Sequence, residues 1–88
     1  MKISITHTRD PLMNWDVSVS VDAEAGEKIA NVNVDINHLS AAREPQAPPV
    51  DSWEKDFPRV GQYPGDNVME VVVLDQTGNE TRKKKQWS

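Results

Sequence analysis

The richest chemical possibilities lie between Asp75 and Lys85. There the segment Asp75-Gln76-Thr77-Gly78-Asn79 leads into the cationic run Arg82-Lys83-Lys84-Lys85. Asp75 and Asn79 carry oxygen ligands, and Asp22 or Asp35 could join from a neighbouring loop, so a calcium site is one reading. Calcium needs roughly six to eight oxygens in one place, and no loop here has the dense, alternating acids of a dedicated site. The other reading is structural. Asp75 can accept backbone hydrogen bonds, while Gly78 and Asn79 tolerate the left-handed conformation that a hairpin requires. The structural reading is the stronger, and neither a metal nor a cofactor is expected.

The run Arg82–Lys85 also has two readings. On a strand, successive side chains point to opposite faces, so Arg82 pairs with Lys84 and Lys83 with Lys85. Lysines on an edge strand block edge-to-edge aggregation. Alternatively, the four cations attract an acidic protein or a nucleic acid, in an interaction that would weaken steeply with salt. Without interleaved aromatics or a helix for the major groove, the nucleic-acid signature is weak.

No constellation for catalysis is visible. His7 and His38 are the only histidines, and their spacing does not place two imidazoles on one metal. There is no cysteine, which removes thiol chemistry and disulfides. The string lacks GxSxG, GxGxxG and Walker-type phosphate loops. Asp16, Asp22 and Asp35 sit on the polar phase of alternating segments, where carboxylates are solvated, and a domain with one small core rarely holds an acid–base pocket. The chain is expected not to be an enzyme and to have no small-molecule substrate.

The elements that must position these residues are strands. Met1, Ile3 and Ile5 alternate with Lys2 and Ser4, and Asp10-Pro11 then marks a turn. In WDVSVSVD, Trp15, Val17, Val19 and Val21 face one way and Asp16, Ser18, Ser20 and Asp22 the other. IANVNVDIN repeats this with Ala30, Val32, Val34 and Ile36 inward. The polar link 23–28, with Gly26 available for positive φ, predicts that these two segments pair antiparallel. Residues 68–74 place Met69, Val71 and Val73 on one face. The other face, with Val68, Val72 and Leu74, is also largely apolar, which predicts a central strand partly covered on its outside. Residues 80–87 return as the last strand.

The middle, 38–66, reads as a long variable loop. REPQAPPV holds three of the six prolines and cannot form a central strand, because proline lacks the ladder donor. The spacing of Asp51 and Glu54 resembles a capping box, which allows one or two helical turns over 52–56 before Pro58. Pro64-Gly65 fits the centre of a type II turn. Trp15 and Trp87 fall on apolar phases and are assigned to the core. Trp53, with Phe57 and Tyr63 nearby, either anchors the loop onto the core or forms an exposed aromatic patch for a protein partner. In the second case Trp53→Ala with Phe57→Ala would weaken binding and leave the melting temperature almost unchanged.

Composition bounds the rest. Eighty-eight residues make one domain with one core. Residues 1–81 hold fourteen acids and six Lys or Arg, a balance of −8, and Arg82–Lys85 return four charges to give −4. Such an acidic body disfavours DNA and anionic membranes. No apolar run reaches the roughly 18–20 residues of a membrane helix, and MKISITHTRD lacks the apolar stretch of a signal peptide. A complete chain would thus be cytoplasmic; a domain cut from a longer secreted protein would escape that inference.

Taken together, the Trp/Val strand 15–22, the Val-rich strand 29–37 and the string Val71-Val72-Val73-Leu74-Asp75-Gln76-Thr77-Gly78-Asn79 before a final strand resemble bacterial immunoglobulin-like and fibronectin-III-like domains. The resemblance implies a small antiparallel β-sandwich. Independently, five or six short alternating strands with polar turns also indicate an all-β sandwich. Domains of this type are spacers, adhesion modules or protein-binding units, so the resemblance implies a non-enzymatic interaction module. Such a module would dock a partner through the 38–66 aromatic loop or through an exposed strand edge. Its candidate contacts are Trp53, Phe57, Tyr63, Arg82, Lys83, Lys84 and Lys85. The alternatives are a structural spacer or assembly domain of a cell-surface or phage-type particle, and electrostatic binding of an acidic partner through 82–85.

Overall fold

Seven strands follow one another along the chain: β1 (Lys2–Arg9), β2 (Trp15–Asp22), β3 (Ile29–Ile36), β4 (Leu39–Val50), β5 (Ser52–Val60), β6 (Asn67–Asp75) and β7 (Glu80–Trp87). The computed structural model describes residues 1–9, 14–60 and 66–87. Asp10-Pro11, Tyr63 and Pro64-Gly65 lie outside the described residues. All pairings are antiparallel, in a three-stranded sheet ordered β1-β2-β5 and a four-stranded sheet ordered β4-β3-β6-β7. Among the described residues there is no helix, hence none long and apolar enough to cross a membrane.

The alternating segments behave as period-two patterning dictates. Val17, Val19 and Val21 of β2 and Val32 and Val34 of β3 are buried, as are Met69, Val71 and Val73 of β6. They join Ile3, Ile5, Trp15 and Trp87 in one apolar cluster to which both sheets contribute. This is a two-sheet, all-β architecture compatible with a β-sandwich. β6 lies between β3 and β7, and its outer residues Val68, Val72 and Leu74 are half-buried, as a central strand apolar on both faces requires.

Three expectations are corrected. β2 and β3 do not pair: β2 lies between β1 and β5, and β3 between β4 and β6. The link 23–28, with Gly26 at φ 87°, carries the chain from one sheet to the other, so the apolar faces of β2 and β3 contribute to the core from different sheets. Second, Ile29 rather than Ala30 faces inward, fully buried, because a register shift between Ile29 and Asn31 resets the phase.

Third, 38–66 is no long proline-rich loop, and 52–56 is no helix, since β4 and β5 occupy most of it. The proline rule itself holds, because β4 is an edge strand. Its partner register jumps from Pro45, opposite Asn31, to Val50, opposite Ile29, which leaves 46–49 outside the ladder. β3 and β4 are joined through Asn37 and His38, both at positive φ (50° and 68°), as a two-residue type I′ hairpin requires.

Candidate functional site

The turn after β6 is structural. Asp75 Oδ1 accepts from the Thr77 N–H (2.9 Å), the Thr77 hydroxyl (2.8 Å) and the Asn79 N–H (2.9 Å). These donors hold the carboxyl below its usual range, the Thr77 hydroxyl contributing most. Gly78 supplies φ 88°. Gln76 clamps the turn to the 23–28 link, accepting from the Lys28 N–H (2.8 Å) and donating to the Gly26 carbonyl (3.0 Å). An oxygen engaged by three donors is not poised for a cation. Among the described residues no three His, Cys, Asp or Glu side chains are grouped to share a metal.

Because its folded-state pKa is depressed, Asp75 adds stability that is present above the ordinary value of 3.8 and lost as pH falls through the folded value. Asp75→Ala is therefore expected to melt at a lower temperature than the parent at pH 7. The gap should narrow at strongly acid pH, as pH falls through the folded value and the parent too loses the carboxylate. Thermal melts at the two pH values check this, and a gap independent of pH would count against it.

The cationic run divides as strand alternation predicts. Arg82, on the outer face, pairs with Glu70 (3.1 Å) and with Glu80. Lys84, on the same face, borders a hollow of about 50 Å³ with Asp35, His38, Val68 and Glu70. Lys83 and Lys85 lie on the other phase, which also carries buried Trp87, and their ammonium groups cross to the other sheet. Lys83 Nζ donates to the Ile3 carbonyl (3.0 Å) and Lys85 Nζ to the Ile5 carbonyl (2.9 Å). The four cations form no common patch. Trp53 and Phe57 are core residues of β5, so of the two readings these residues take the packing onto the core and not the exposed patch.

These acceptors follow from the ladder. The Ala23 N–H donates to the Asp51 carbonyl (2.9 Å), which extends the β2–β5 register and makes the odd-numbered residues of β2 its hydrogen-bonded partners. The even-numbered residues of β2 then bond to Lys2, Ser4, Thr6 and Thr8 of β1. The backbone N–H and C=O groups of Ile3, Ile5 and His7 consequently point out of the sheet. Two of those carbonyls are the ones the lysines cap. Along this edge β1 has no backbone partner among the described residues.

The four edge strands differ in what they offer. β4 carries Pro45, Pro48 and Pro49. β5 carries Glu54, Lys55, Asp56 and Pro58, with a register irregularity near its end. β7 carries the four cations. β1 pairs without interruption from Lys2 to Arg9, has no proline, and has no lysine, arginine or acid from Ile3 to Thr8. By the rules that govern exposed edges, β1 is the best template for another strand, and the two lysine side chains cover it.

His7 and the tryptophans close the end of this seam. The His7 ring stacks on Trp87 (centroids 5.4 Å apart) and meets Trp15 edge-on (5.2 Å), while the Arg9 guanidinium lies 4.4 Å over Trp15. Burial, and secondarily the nearby Lys85 charge, push the His7 pKa down. The imidazole thus stays neutral at pH 7, and the β1 edge with it. The opposite seam is closed in a related way, by Lys55 of β5 bridging to Glu44 of β4 at 2.8 Å.

Sequence reasoning missed the β1 edge, because its reactive groups are backbone atoms. The available signal was the shared phase of Lys83, Lys85 and Trp87: a core-ward lysine on an edge strand needs an acceptor across the seam. Compared with known protein families, curated proteins and solved structures, the chain finds no match.

Proposed function

We propose that this protein is a non-enzymatic interaction module of immunoglobulin-like, fibronectin-III-like type, which docks a protein partner by adding one of the partner's strands to the edge of β1. The observation that carries the reading is the state of that edge. It is regular, carries no lysine, arginine or acid from Ile3 to Thr8, and its outward carbonyls at Ile3 and Ile5 are held by side chains instead of a strand. The connectivity supports the family reading: β1, β2 and β5 form one sheet and β3, β6 and β7 the core of the other. β4 joins the second sheet, as the extra strand does in variable-type sandwiches.

Amide exchange tests the docking. A partner captured from a lysate and added to the labelled protein is expected to slow exchange at Ile3, Ile5 and His7, whose N–H groups face outward. Ser4, Thr6 and Thr8, already paired to β2, should change little. Protection confined to β4, β5 or the sheet faces would overturn the reading.

A second reading, a spacer or assembly domain, is favoured by the shape. The molecule is 41 Å long and about half as wide, and β1 begins beside Asp22 whereas β7 ends beside Asn67 and His7, at the opposite end. A spacer would leave all β1 amides unchanged in the same experiment.

A further inference from the structure

We infer that the segment the β1 edge accepts is an extended acidic peptide with carboxylates at alternate positions, and that Lys83 and Lys85 are the residues that read it. This rests on the edge-docking reading above and specifies the chemistry of its partner. Lys83 and Lys85 are two residues apart on one face of β7, so their attachment points repeat at about 7 Å, the two-residue period of any strand. A strand laid along β1 presents its own i and i+2 side chains at the same period, on the side facing the seam.

Docking is an exchange of partners. The N–H groups of the incoming strand take over the Ile3 and Ile5 carbonyls, and this displaces the two ammonium groups that now occupy them at 3.0 and 2.9 Å. Each displaced ammonium needs a new acceptor, because Lys85 is half-buried and both of these bonds lie in a partly buried seam. Carboxylates at i and i+2 supply it, replacing a bond to a neutral carbonyl with one between opposite charges, the stronger kind. A neutral strand offers the two ammonium groups only neutral acceptors in place of the carbonyls they lose, and a basic strand adds repulsion.

The match is to two carboxylates and not to a polyanion. Residues 1–81 carry −8, so a long acidic tract or a nucleic acid meets repulsion from the rest of the surface. Arg82 is engaged by Glu70 and Glu80, and Lys84 lies on the outer face beside Asp35 and Glu70, so of the four cations of β7 only Lys83 and Lys85 reach the seam. On its other phase the segment lies beside Lys2, Ser4, Thr6 and Thr8, so small polar residues suit it there.

The test uses synthetic peptides of alternating Thr and Glu, with Thr/Gln and Thr/Lys counterparts, titrated into the isotopically labelled protein at low salt. The expected result is slowed exchange at Ile3, Ile5 and His7 with the Glu peptide and affinity at least about tenfold above that of the Gln peptide. No binding of the Lys peptide is expected. The preference should shrink at about 0.5 M salt, and Lys83→Gln with Lys85→Gln should abolish it. Equal affinity for Glu and Gln peptides, both protecting β1, would overturn the charge inference and leave the edge reading standing. Failure of every peptide to protect β1 would remove the edge reading itself. The comparison of peptides on the parent protein decides the matter even if the double variant does not fold. If that variant folds and keeps the full preference for Glu, the assignment to Lys83 and Lys85 is wrong.

Discussion

Replacing Trp53 with alanine is expected to cost about 3–5 kcal/mol of stability, the usual penalty for emptying a buried tryptophan site. Trp53 stands on β5 directly opposite Val21 of β2, is 8 % exposed, and belongs to the same apolar cluster as Val19 and Val71. Removing the indole withdraws a large apolar surface from that cluster and leaves a void that β5, tied to β2 residue by residue, can only partly close. Domains of this size commonly have total stabilities of about 5–15 kcal/mol, so the variant should stand close to unfolding. Urea denaturation of parent and variant measures the loss. An exposed partner-binding tryptophan would instead change stability by no more than about 0.5 kcal/mol, so a value that small would mean that Trp53 is not a core residue. Phe57, opposite Val17 and 9 % exposed, should behave alike.

Why β5 escaped recognition from its sequence is visible in Lys55. Trp53, Lys55 and Phe57 share the core-ward phase of SWEKDFPRV, opposite Val21, Val19 and Val17. The charge in the middle breaks the apolar alternation, and Trp53 and Phe57, four apart, then look helical. The lysine is tolerated because β5 is an edge, and its ammonium leaves the core to meet Glu44. β4 hides in the same manner. Its core-ward residues are Ala42, Glu44 and Gln46, which line a seam and bury little apolar surface, so no pattern announces a strand. Strands at sheet centres, β2, β3 and β6, show clear alternation because both neighbours force one face into the core.

Pairing was harder to read than strand existence. Alternation in β2 and β3 says that each has an inner face, but it holds equally for neighbours in one sheet and for strands in different sheets. The 23–28 link serves the second case. The seams carry the features relevant to binding, and there the sequence signal is a charge on a core-ward phase: Lys55 on one side, Lys83 and Lys85 on the other. Each is a polar residue at a position where alternation demands an apolar one, and each finds a partner on the opposite sheet.

The second large effect is expected at Trp87. Trp87→Ala should also cost about 3–5 kcal/mol, because this indole packs on His7 at 5.4 Å and edge-on to Trp15 at 6.2 Å and so joins β7 to β1 and β2 across the two sheets. Trp87→Phe separates packing from hydrogen bonding. The indole N–H is buried without a partner among the described residues, so phenylalanine removes an unsatisfied donor while keeping an aromatic ring, and its cost should stay below about 1.5 kcal/mol. The His7 titration reports on the same contact. Its folded pKa lies below the ordinary 6.5, chiefly through burial, so neutral His7 contributes stability that is complete above pH 6.5 and is lost as pH falls from there through the folded value. Trp87→Ala uncovers the ring, so the His7 pKa should climb back towards 6.5 and the loss of stability between about pH 7.5 and 5 should become shallower. Trp87→Phe should preserve both. Imidazole resonances followed through a pH titration, together with urea denaturation at the two pH values, give the answer. A destabilised alanine variant whose His7 titrates as in the parent would show that Trp87 supports the fold without shielding the histidine. The seam would then be closed at that end by Trp15 and the Lys85 charge alone.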